Sequence, residues 1–210
     1  MKSRRGITLV ELLVAATLFL LIGSLALNFF ISLTRSSLRG LAKGAAEQQA
    51  VIIFQNLLRD MQSTSSNAVT WDPSLAPSNW RVLAIQPIED VSNQGSLVFN
   101  VQKLILYTWD PVTKKLVRKE WLTGVPGLTL FANDPQRLTT GQLNALVSQA
   151  APSEKRYEYV TQFDLGNTVA SPNLSSPLNP KLVVVLPPGQ SNFQERYQLS
   201  RTLVLRSQPE

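Results

Sequence analysis

The residues best placed to do chemistry lie at the start of the chain, where one carboxylate stands inside an apolar segment. Residues 1–6 are short and basic, and the mostly apolar run over 7–33 has Glu11 as its one charged residue. A cut after Gly6 would place the new α-amino group of Ile7 four residues, about one helical turn, before Glu11. The carboxylate would then have a cationic partner at a depth where neither charge is well solvated.

The apolar run that positions these groups has the length of a transmembrane helix. About 20 mostly apolar residues cross a bilayer as a helix, and residues 7–33 exceed that. Lys2, Arg4 and Arg5 flank the start of the run, so that end should stay in the cytoplasm. We therefore expect a single-pass protein of the inner (cytoplasmic) membrane whose C-terminal domain is extracytoplasmic.

Two other interpretations of this segment stay open. An ordinary secretory signal would be cleaved after the small-x-small sequence at 24–26, and a plain signal anchor would not be cleaved. A carboxylate inside the apolar segment and the lack of a spacer before it are atypical of a secretory signal. The N-terminus of the mature protein distinguishes the three interpretations, because it would be Ile7, Leu27 or Met1.

Residues 5–15, Arg-Gly-Ile-Thr-Leu-Val-Glu-Leu-Leu-Val-Ala, resemble the type IV prepilin signature. That signature is a glycine, a cleavage site, a hydrophobic residue, and glutamate as the fifth residue of the mature chain. The resemblance implies that prepilin peptidase cuts after Gly6 and methylates Ile7. It also implies that the Glu11 carboxylate meets the N-terminal amine of a neighbouring subunit in a filament. The expected partners are then prepilin peptidase, other pilins or pseudopilins, an inner-membrane assembly platform and membrane lipid.

The composition excludes several kinds of catalytic site. The 210 residues contain no cysteine and no histidine, which removes thiol and imidazole catalysis and the commonest metal ligands. The acidic pair Glu89–Asp90 is expected in a solvated turn, without the further oxygen ligands of a calcium site. We therefore predict no enzymatic activity, no cofactor and no metal. Residues 1–60 hold 7 Lys/Arg and 3 Asp/Glu, so the net charge of +6 reflects membrane topology more than a polyanion-binding domain.

The expected fold class is α+β, with one long N-terminal helix packed on a C-terminal antiparallel β-sheet domain, as in pilins. The helix should run from Ile7 to about Gln62. Apolar residues recur at helical spacing in its second half: Val51, Phe54, Leu58 and Met61. We expect a leader at 1–6, a transmembrane or filament-core helix at 7–33, an amphipathic continuation at 34–62 and a β-rich head at 63–210.

Short β-like runs with turn residues between them follow the helix. The clearest is a hairpin in which 104–109 pairs with 114–121 across the Asp-Pro turn at 110–113. Other strands are expected at 82–85, 96–101, 128–131, 157–165, 181–186 and 197–206, a threonine-capped helix at 140–151, and a proline-rich surface loop at 171–180. The order of a long helix, a hairpin with Tyr-x-Trp-Asp-Pro at 107–111, a basic Leu-x-Arg strand and a closing strand that ends in Leu-Arg resembles minor pilins of the PilW type and the J-type minor pseudopilins of type II secretion. That resemblance implies a subunit at or near the filament tip.

Basic and aromatic residues are interleaved in the predicted hairpin. The basic residues are Lys114, Lys115, Arg118 and Lys119, and the aromatic ones are Tyr107, Trp109 and Trp121. Phosphate contacts and base stacking at such a site would suit a DNA-uptake pilus. We favour the alternative, a charged edge hairpin that resists strand-to-strand aggregation.

Together these features predict a minor pilin or pseudopilin that assembles through its N-terminal helix into a type IV pilus or a type II secretion pseudopilus. The alternative is a membrane-anchored extracytoplasmic module that binds DNA or an exported substrate and joins no filament. Dependence of the mature N-terminus on prepilin peptidase distinguishes the two functions.

Overall fold

The computed structural model describes residues 8–135, 137–166, 178–185 and 196–205. Helix α1 (Leu9–Gln62) is the long helix that the sequence predicts, and it ends at the predicted residue. Its predicted start at Ile7 lies outside the described residues. Antiparallel sheets follow the helix, so the α+β fold class is confirmed.

The chain forms two compact units, Met1–Gly44 and Ala45–Glu210. In the first unit, the described residues from Leu9 onward are helical. The second unit contains the last part of α1 and the described β-strands. The boundary between the two units therefore falls within α1.

The described residues form ten strands and a second helix, α2. The strands are β1 (Val69–Leu75), β2 (Trp80–Ile85), β3 (Ile88–Val91), β4 (Leu97–Phe99), β5 (Leu104–Asp110), β6 (Lys115–Trp121), β7 (Ser153–Tyr157), β8 (Val160–Asp164), β9 (Lys181–Val185) and β10 (Arg196–Ser200). Five of them form an antiparallel sheet in the order β1-β2-β5-β6-β7. A second sheet has the order β10-β9-β8, and β3 pairs with β4.

Helix α2 (Thr140–Ser148) confirms the predicted helix and its threonine cap. The Thr139 hydroxyl accepts from the backbone N–H of Gln142 at 3.3 Å. The Gln142 side chain accepts in turn from the Thr139 N–H at 2.8 Å, which completes a capping box. The helix ends at Ser148 rather than at residue 151.

The predicted hairpin is confirmed, but it does not lie at a sheet edge. β5 and β6 pair from Leu104 opposite Trp121 to Asp110 opposite Lys115. The Asp110 carboxylate fixes the turn by accepting from the Val112 N–H at 2.8 Å and the Thr113 hydroxyl at 2.7 Å. Because β5 also pairs with β2 and β6 with β7, the expectation of an edge hairpin is wrong.

Each face of the five-stranded sheet covers a hydrophobic core. Successive side chains of a strand point to opposite faces, so β5 contributes Tyr107 to one core and Leu106 to the other. The first core contains Ile53 and Leu57 of α1. The second contains Leu143 of α2. The predicted apolar stripe of α1 is therefore buried, except that Val51 is only partly covered.

Several of the predicted strands are wrong in extent or in kind. The strand predicted at 197–206 ends at Ser200, and beyond it Leu203 forms only an isolated bridge with Leu178. Residues 128–131 form no strand, because a turn at Gly127 (φ +77°) leaves only an isolated bridge between Val125 and Leu128. Residues 157–165 are interrupted at Tyr159, whose φ of +62° separates β7 from β8. Most of the predicted loop at 171–180 lies outside the described residues.

Strand β1 was not predicted from the sequence because Pro73 lies within it. Proline cannot donate to a ladder and is tolerated at edge strands or bulges. β1 satisfies both conditions, since it is the first strand of the sheet order and its register shifts between Asp72 and Leu75.

Candidate functional site

The start of α1 is closed by a capping box between Thr8 and Glu11. The Thr8 hydroxyl accepts from the Glu11 backbone N–H at 3.3 Å. Glu11 Oε2 accepts from the Thr8 backbone N–H at 2.9 Å and from the Thr8 hydroxyl at 3.0 Å. The Thr-x-x-Glu spacing of a capping box is present in the sequence at Thr8 and Glu11. We nevertheless predicted from the sequence only a role in filament assembly for the Glu11 carboxylate.

The capping box gives Glu11 a role within its own helix and leaves room for a second role. Among the described residues, both hydrogen bonds to the Glu11 carboxylate go to Oε2, which leaves Oε1 able to accept from a cation. The other predicted site residues at this end, Gly6 and Ile7, lie outside the described residues.

The membrane-length part of α1 exposes an apolar surface all round. Every side chain from Leu9 to Leu41 is exposed, and α1 is the one helix in the described part of the chain that is long and apolar enough to cross a bilayer. The hydroxyls of Thr17, Ser24 and Thr34 donate to backbone carbonyls three or four residues earlier, at 2.8–2.9 Å. These bonds satisfy the hydroxyls within the helix itself, as an apolar solvent requires.

The structure does not bring the four basic residues of the hairpin together on one surface. Lys114 and Lys115 are exposed at the β5–β6 turn, where the Lys115 ammonium lies 3.5 Å from a Glu158 carboxylate oxygen. Arg118 and Lys119 are buried on opposite faces of β6, against α1 and α2 respectively. Only the two lysines of the turn are therefore accessible to a phosphate.

The aromatic residues of the hairpin cannot stack on bases either. Tyr107, Trp109 and Trp121 all belong to the two hydrophobic cores. The Trp109 indole N–H donates to the Val160 carbonyl at 2.7 Å, and the Arg81 guanidinium lies over its ring. The expected DNA site with interleaved aromatics is thus reduced to Lys114 and Lys115.

A buried network of charges joins α1 to the sheet instead. The Arg118 guanidinium donates from Nε to Asp60 Oδ2 of α1 at 2.8 Å and from a terminal nitrogen to Glu120 at 2.7 Å. The Tyr107 hydroxyl donates to the same Asp60 oxygen at 2.7 Å, and the Lys103 ammonium lies 2.9 Å from Glu120. The side chains of Arg118 and Asp60 are 4 % and 5 % exposed, so water screens their attraction little.

Burial and charge act on this network in opposite directions. Burial alone would lower the pKa of Arg118, but its bonds to Asp60 and Glu120 raise that pKa above its ordinary value. Burial likewise favours the neutral form of Glu120, yet the ion pairs with Lys103 and Arg118 hold its pKa below the ordinary value. Burial and the Asp60 carboxylate raise the pKa of Tyr107, so its hydroxyl stays a donor. At neutral pH Arg118 and Glu120 are therefore charged, and Tyr107 is neutral.

Sequence reasoning missed this network, although one signal was available. Asp60 follows Ile53 and Leu57 at helical spacing and so belongs to the buried face of α1. A carboxylate on a buried helix face requires a basic partner. The structure shows that this partner is Arg118, 58 positions later.

Lys119 performs a separate structural task at the end of α2. Its ammonium donates to the carbonyls of Val147 at 2.6 Å and Gln149 at 2.7 Å, where the helix leaves its last carbonyls unpaired. A cation is favourable at this end of a helix dipole. Burial lowers the pKa of Lys119.

The acidic pair Glu89–Asp90 lies in strand β3 and not in a turn, and both side chains are exposed. Among the described residues, no three acidic side chains cluster in a way that could hold a metal ion.

A long exposed apolar helix followed by antiparallel β-sheets fits a membrane-anchored α+β protein. Residues 1–27 match the family model of the prokaryotic N-terminal methylation motif, and this match supports a type IV prepilin-like protein. The comparisons with curated proteins and with solved structures give no match.

Proposed function

We propose that the protein is a minor pilin or pseudopilin subunit, cleaved after Gly6 and methylated on Ile7 by prepilin peptidase. The observation that carries this proposal is the match of residues 1–27 to the methylation motif. The bare apolar surface of α1 supports it, because that surface needs lipid or other helices around it.

Assembly moves α1 from the bilayer into a bundle with the helices of neighbouring subunits. Apolar contacts with these helices replace those with lipid, so packing and the few polar contacts decide which arrangement forms. Glu11 continues to cap its own helix through Oε2, and its charge pairs with the methylated amine of a neighbour. A pair of opposite charges in a poorly solvated place fixes the register of two helices, since any other alignment leaves each charge alone.

The β-rich head selects the partners at its sides and places the subunit at or near the filament tip. The protein is anchored in the inner membrane with its head outside the cytoplasm and then passes into a type IV pilus or a type II secretion pseudopilus. It acts by assembly and not by catalysis, a role supported by the absence of histidine and cysteine from the sequence.

The cleavage step is tested with Gly6→Ala in cells that contain prepilin peptidase. This variant should insert into the membrane but keep its leader, so that its intact mass is that of the unprocessed chain. The matched control is Gly23→Ala, because a methyl group at Gly23 meets no neighbouring atom within 4 Å. It should mature with an N-terminus at methylated Ile7. Mature Gly6→Ala, or an N-terminus at Leu27 in the wild type, would contradict the proposal.

The alternative function, an anchored module that binds DNA or an exported substrate, predicts a different result. Its N-terminus would not depend on prepilin peptidase, and it would not co-purify with other pilins. For DNA in particular, binding at low salt would have to disappear in the Lys114→Ala, Lys115→Ala variant, because these are the accessible lysines of the hairpin turn.

A further inference from the structure

A row of cations follows the apolar part of α1 on one side of the helix. Arg35, Arg39 and Lys43 are spaced four residues apart and are all exposed. Each step of four residues turns about 40° around the helix, so the three lie within an arc of about 80°. The sequence has no acidic residue between Glu11 and Glu47, so the segment that carries the row is net positive, with Glu47 four residues beyond Lys43. We call these three residues the cationic row.

The cationic row begins where the lipid headgroups should lie. The apolar run ends at Leu33, and at 1.5 Å per residue Arg35 and Arg39 stand about 3 and 9 Å beyond it. The headgroup layer on each side of a bilayer is roughly 5–8 Å thick. The Lys43 backbone lies about 15 Å out, and a lysine side chain can extend back toward the interface.

Polar groups on the same side of the helix complete a site suited to phosphate. Arg35 and Arg39 line a shallow cleft together with Asn28, Ser32 and Ser36. A guanidinium matches two oxygens of a phosphate at once, and hydroxyl and amide groups can donate to the others. Ser36, Arg35 and Arg39 lie beyond the end of the apolar run, at the depth of the phosphodiester groups, whereas Asn28 and Ser32 lie within the run just below them.

The cationic row also works against the expected orientation of the protein. The three cations beyond the apolar run equal in number Lys2, Arg4 and Arg5 before it. Because lysine and arginine favour the cytoplasmic side, the row weakens the signal that keeps the N-terminus inside. A favourable contact on the far side of the membrane would offset that cost.

We propose that the cationic row and its cleft bind the headgroup phosphate of an anionic phospholipid in the leaflet at the C-terminal end of the span. Anionic phospholipid is the chosen partner because the row begins at headgroup depth. The contact holds α1 at a fixed depth and rotation while the subunit is in the membrane. This inference rests on membrane insertion and does not require a filament.

The test uses the full-length protein in nanodiscs of equal parts phosphatidylcholine and phosphatidylglycerol, with native mass spectrometry of the retained lipids. The wild type should retain phosphatidylglycerol in preference to phosphatidylcholine. Each cation near an anionic surface contributes about a 5-fold factor in binding, so Arg35→Gln, Arg39→Gln, Lys43→Gln should lose that preference by on the order of 100-fold. High salt should also weaken it.

Two controls separate charge from other effects. Lys114→Gln, Lys115→Gln, Lys155→Gln removes the same charge from exposed lysines of the head and should leave the preference unchanged. The Arg35→Lys, Arg39→Lys variant keeps the charge and should retain most of the preference for phosphatidylglycerol. Equal retention of both lipids by the wild type would overturn the inference. The inference would also be overturned if the Arg35→Gln, Arg39→Gln, Lys43→Gln variant still preferred phosphatidylglycerol but no longer co-purified with other pilins. The cationic row would then contact an acidic protein surface instead of lipid.

Extraction at alkaline pH separates this inference from the proposed function. A protein that is released from membranes would refute the membrane-anchored function itself. A protein that stays inserted without preferring phosphatidylglycerol would refute the lipid contact alone.

Discussion

Replacing Arg118 by methionine should destabilise the head strongly, because it removes the cation from a buried ionic network. Asp60 and Glu120 would each lose a charged partner, at present 2.8 and 2.7 Å away. Breaking one side of a buried ion pair costs about 3–5 kcal/mol. Tyr107 still donates to Asp60, and Lys103 still pairs with Glu120, so the lower end of that range, about 3 kcal/mol, is expected.

Urea denaturation followed by tryptophan fluorescence measures this loss in the full-length protein in detergent. All four tryptophans, at positions 71, 80, 109 and 121, lie in the unit Ala45–Glu210, so the signal reports the unfolding of that unit alone. With a denaturant slope of about 1–3 kcal/mol per molar, a loss of about 3 kcal/mol should lower the midpoint by roughly 1–3 M.

The matched control is Lys115→Met in the same strand. It removes the same charge, but the Lys115–Glu158 pair is long at 3.5 Å and about half exposed. Such pairs contribute about 0–1 kcal/mol, so its midpoint should hardly move. Equal shifts for the two variants would refute the importance given to burial.

A double variant tests whether Asp60 and Arg118 act as a pair. Asp60→Leu with Arg118→Met leaves no uncompensated charge at that contact, so it should cost less than the sum of the single changes, by about 1 kcal/mol or more. Strict additivity of the two changes would mean that the contact contributes nothing specific.

Three further changes address the start of α1, the acid limit of the fold and the end of α2. Glu11→Gln and Glu11→Ala both lose the charge, and only Glu11→Gln keeps a capping side chain, so both should insert and be cleaved yet co-purify poorly with other pilins. Normal assembly of Glu11→Gln would mean that Glu11 serves only as a helix cap. The lowered pKa of Glu120 gives stability that is present above its ordinary pKa near 4.5 and is lost as the pH falls through the lower folded-state value. In Glu120→Gln the urea midpoint should therefore depend less on pH below 4.5 than in the wild type, and an unchanged pH profile would contradict this. Lys119→Met leaves the last carbonyls of α2 without their buried donor and should lower the free energy of unfolding by about 1–3 kcal/mol in urea titrations. Lys155→Met, at an exposed position, should lower it by under about 1 kcal/mol, and similar losses for the two variants would count against the role of Lys119 at the end of α2.

Local signals predicted α1 and the β5–β6 hairpin. The apolar run over 7–33 and the helical spacing of apolar residues up to Met61 are patterns among residues a few positions apart. The Asp-Pro turn after Trp109 is local in the same way. The methylation motif is equally local. Long-range pairing was not predictable in this way, because nothing near Arg118 in the sequence indicates that its partner is Asp60.

The errors at Tyr159 and Pro73 have backbone causes. A tyrosine with positive φ interrupts an apolar run that otherwise reads as one strand. A proline within β1 is acceptable only because β1 is the first strand of the sheet order and carries a bulge. Both features depend on where the residue lies in the folded structure, and residue propensities carry no information about that.

The packing of α1 against distant strands affects how the head can fold during synthesis. Its stripe shares a core with Leu203 and Leu205, and Tyr197 donates to Glu47, 150 positions earlier in the chain. Because synthesis begins at the N-terminus, Ile53 and Leu57 are made long before the strands that shield them. We expect this stripe to need a temporary cover until those strands are made, since uncovered apolar surface on a nascent chain leads to aggregation.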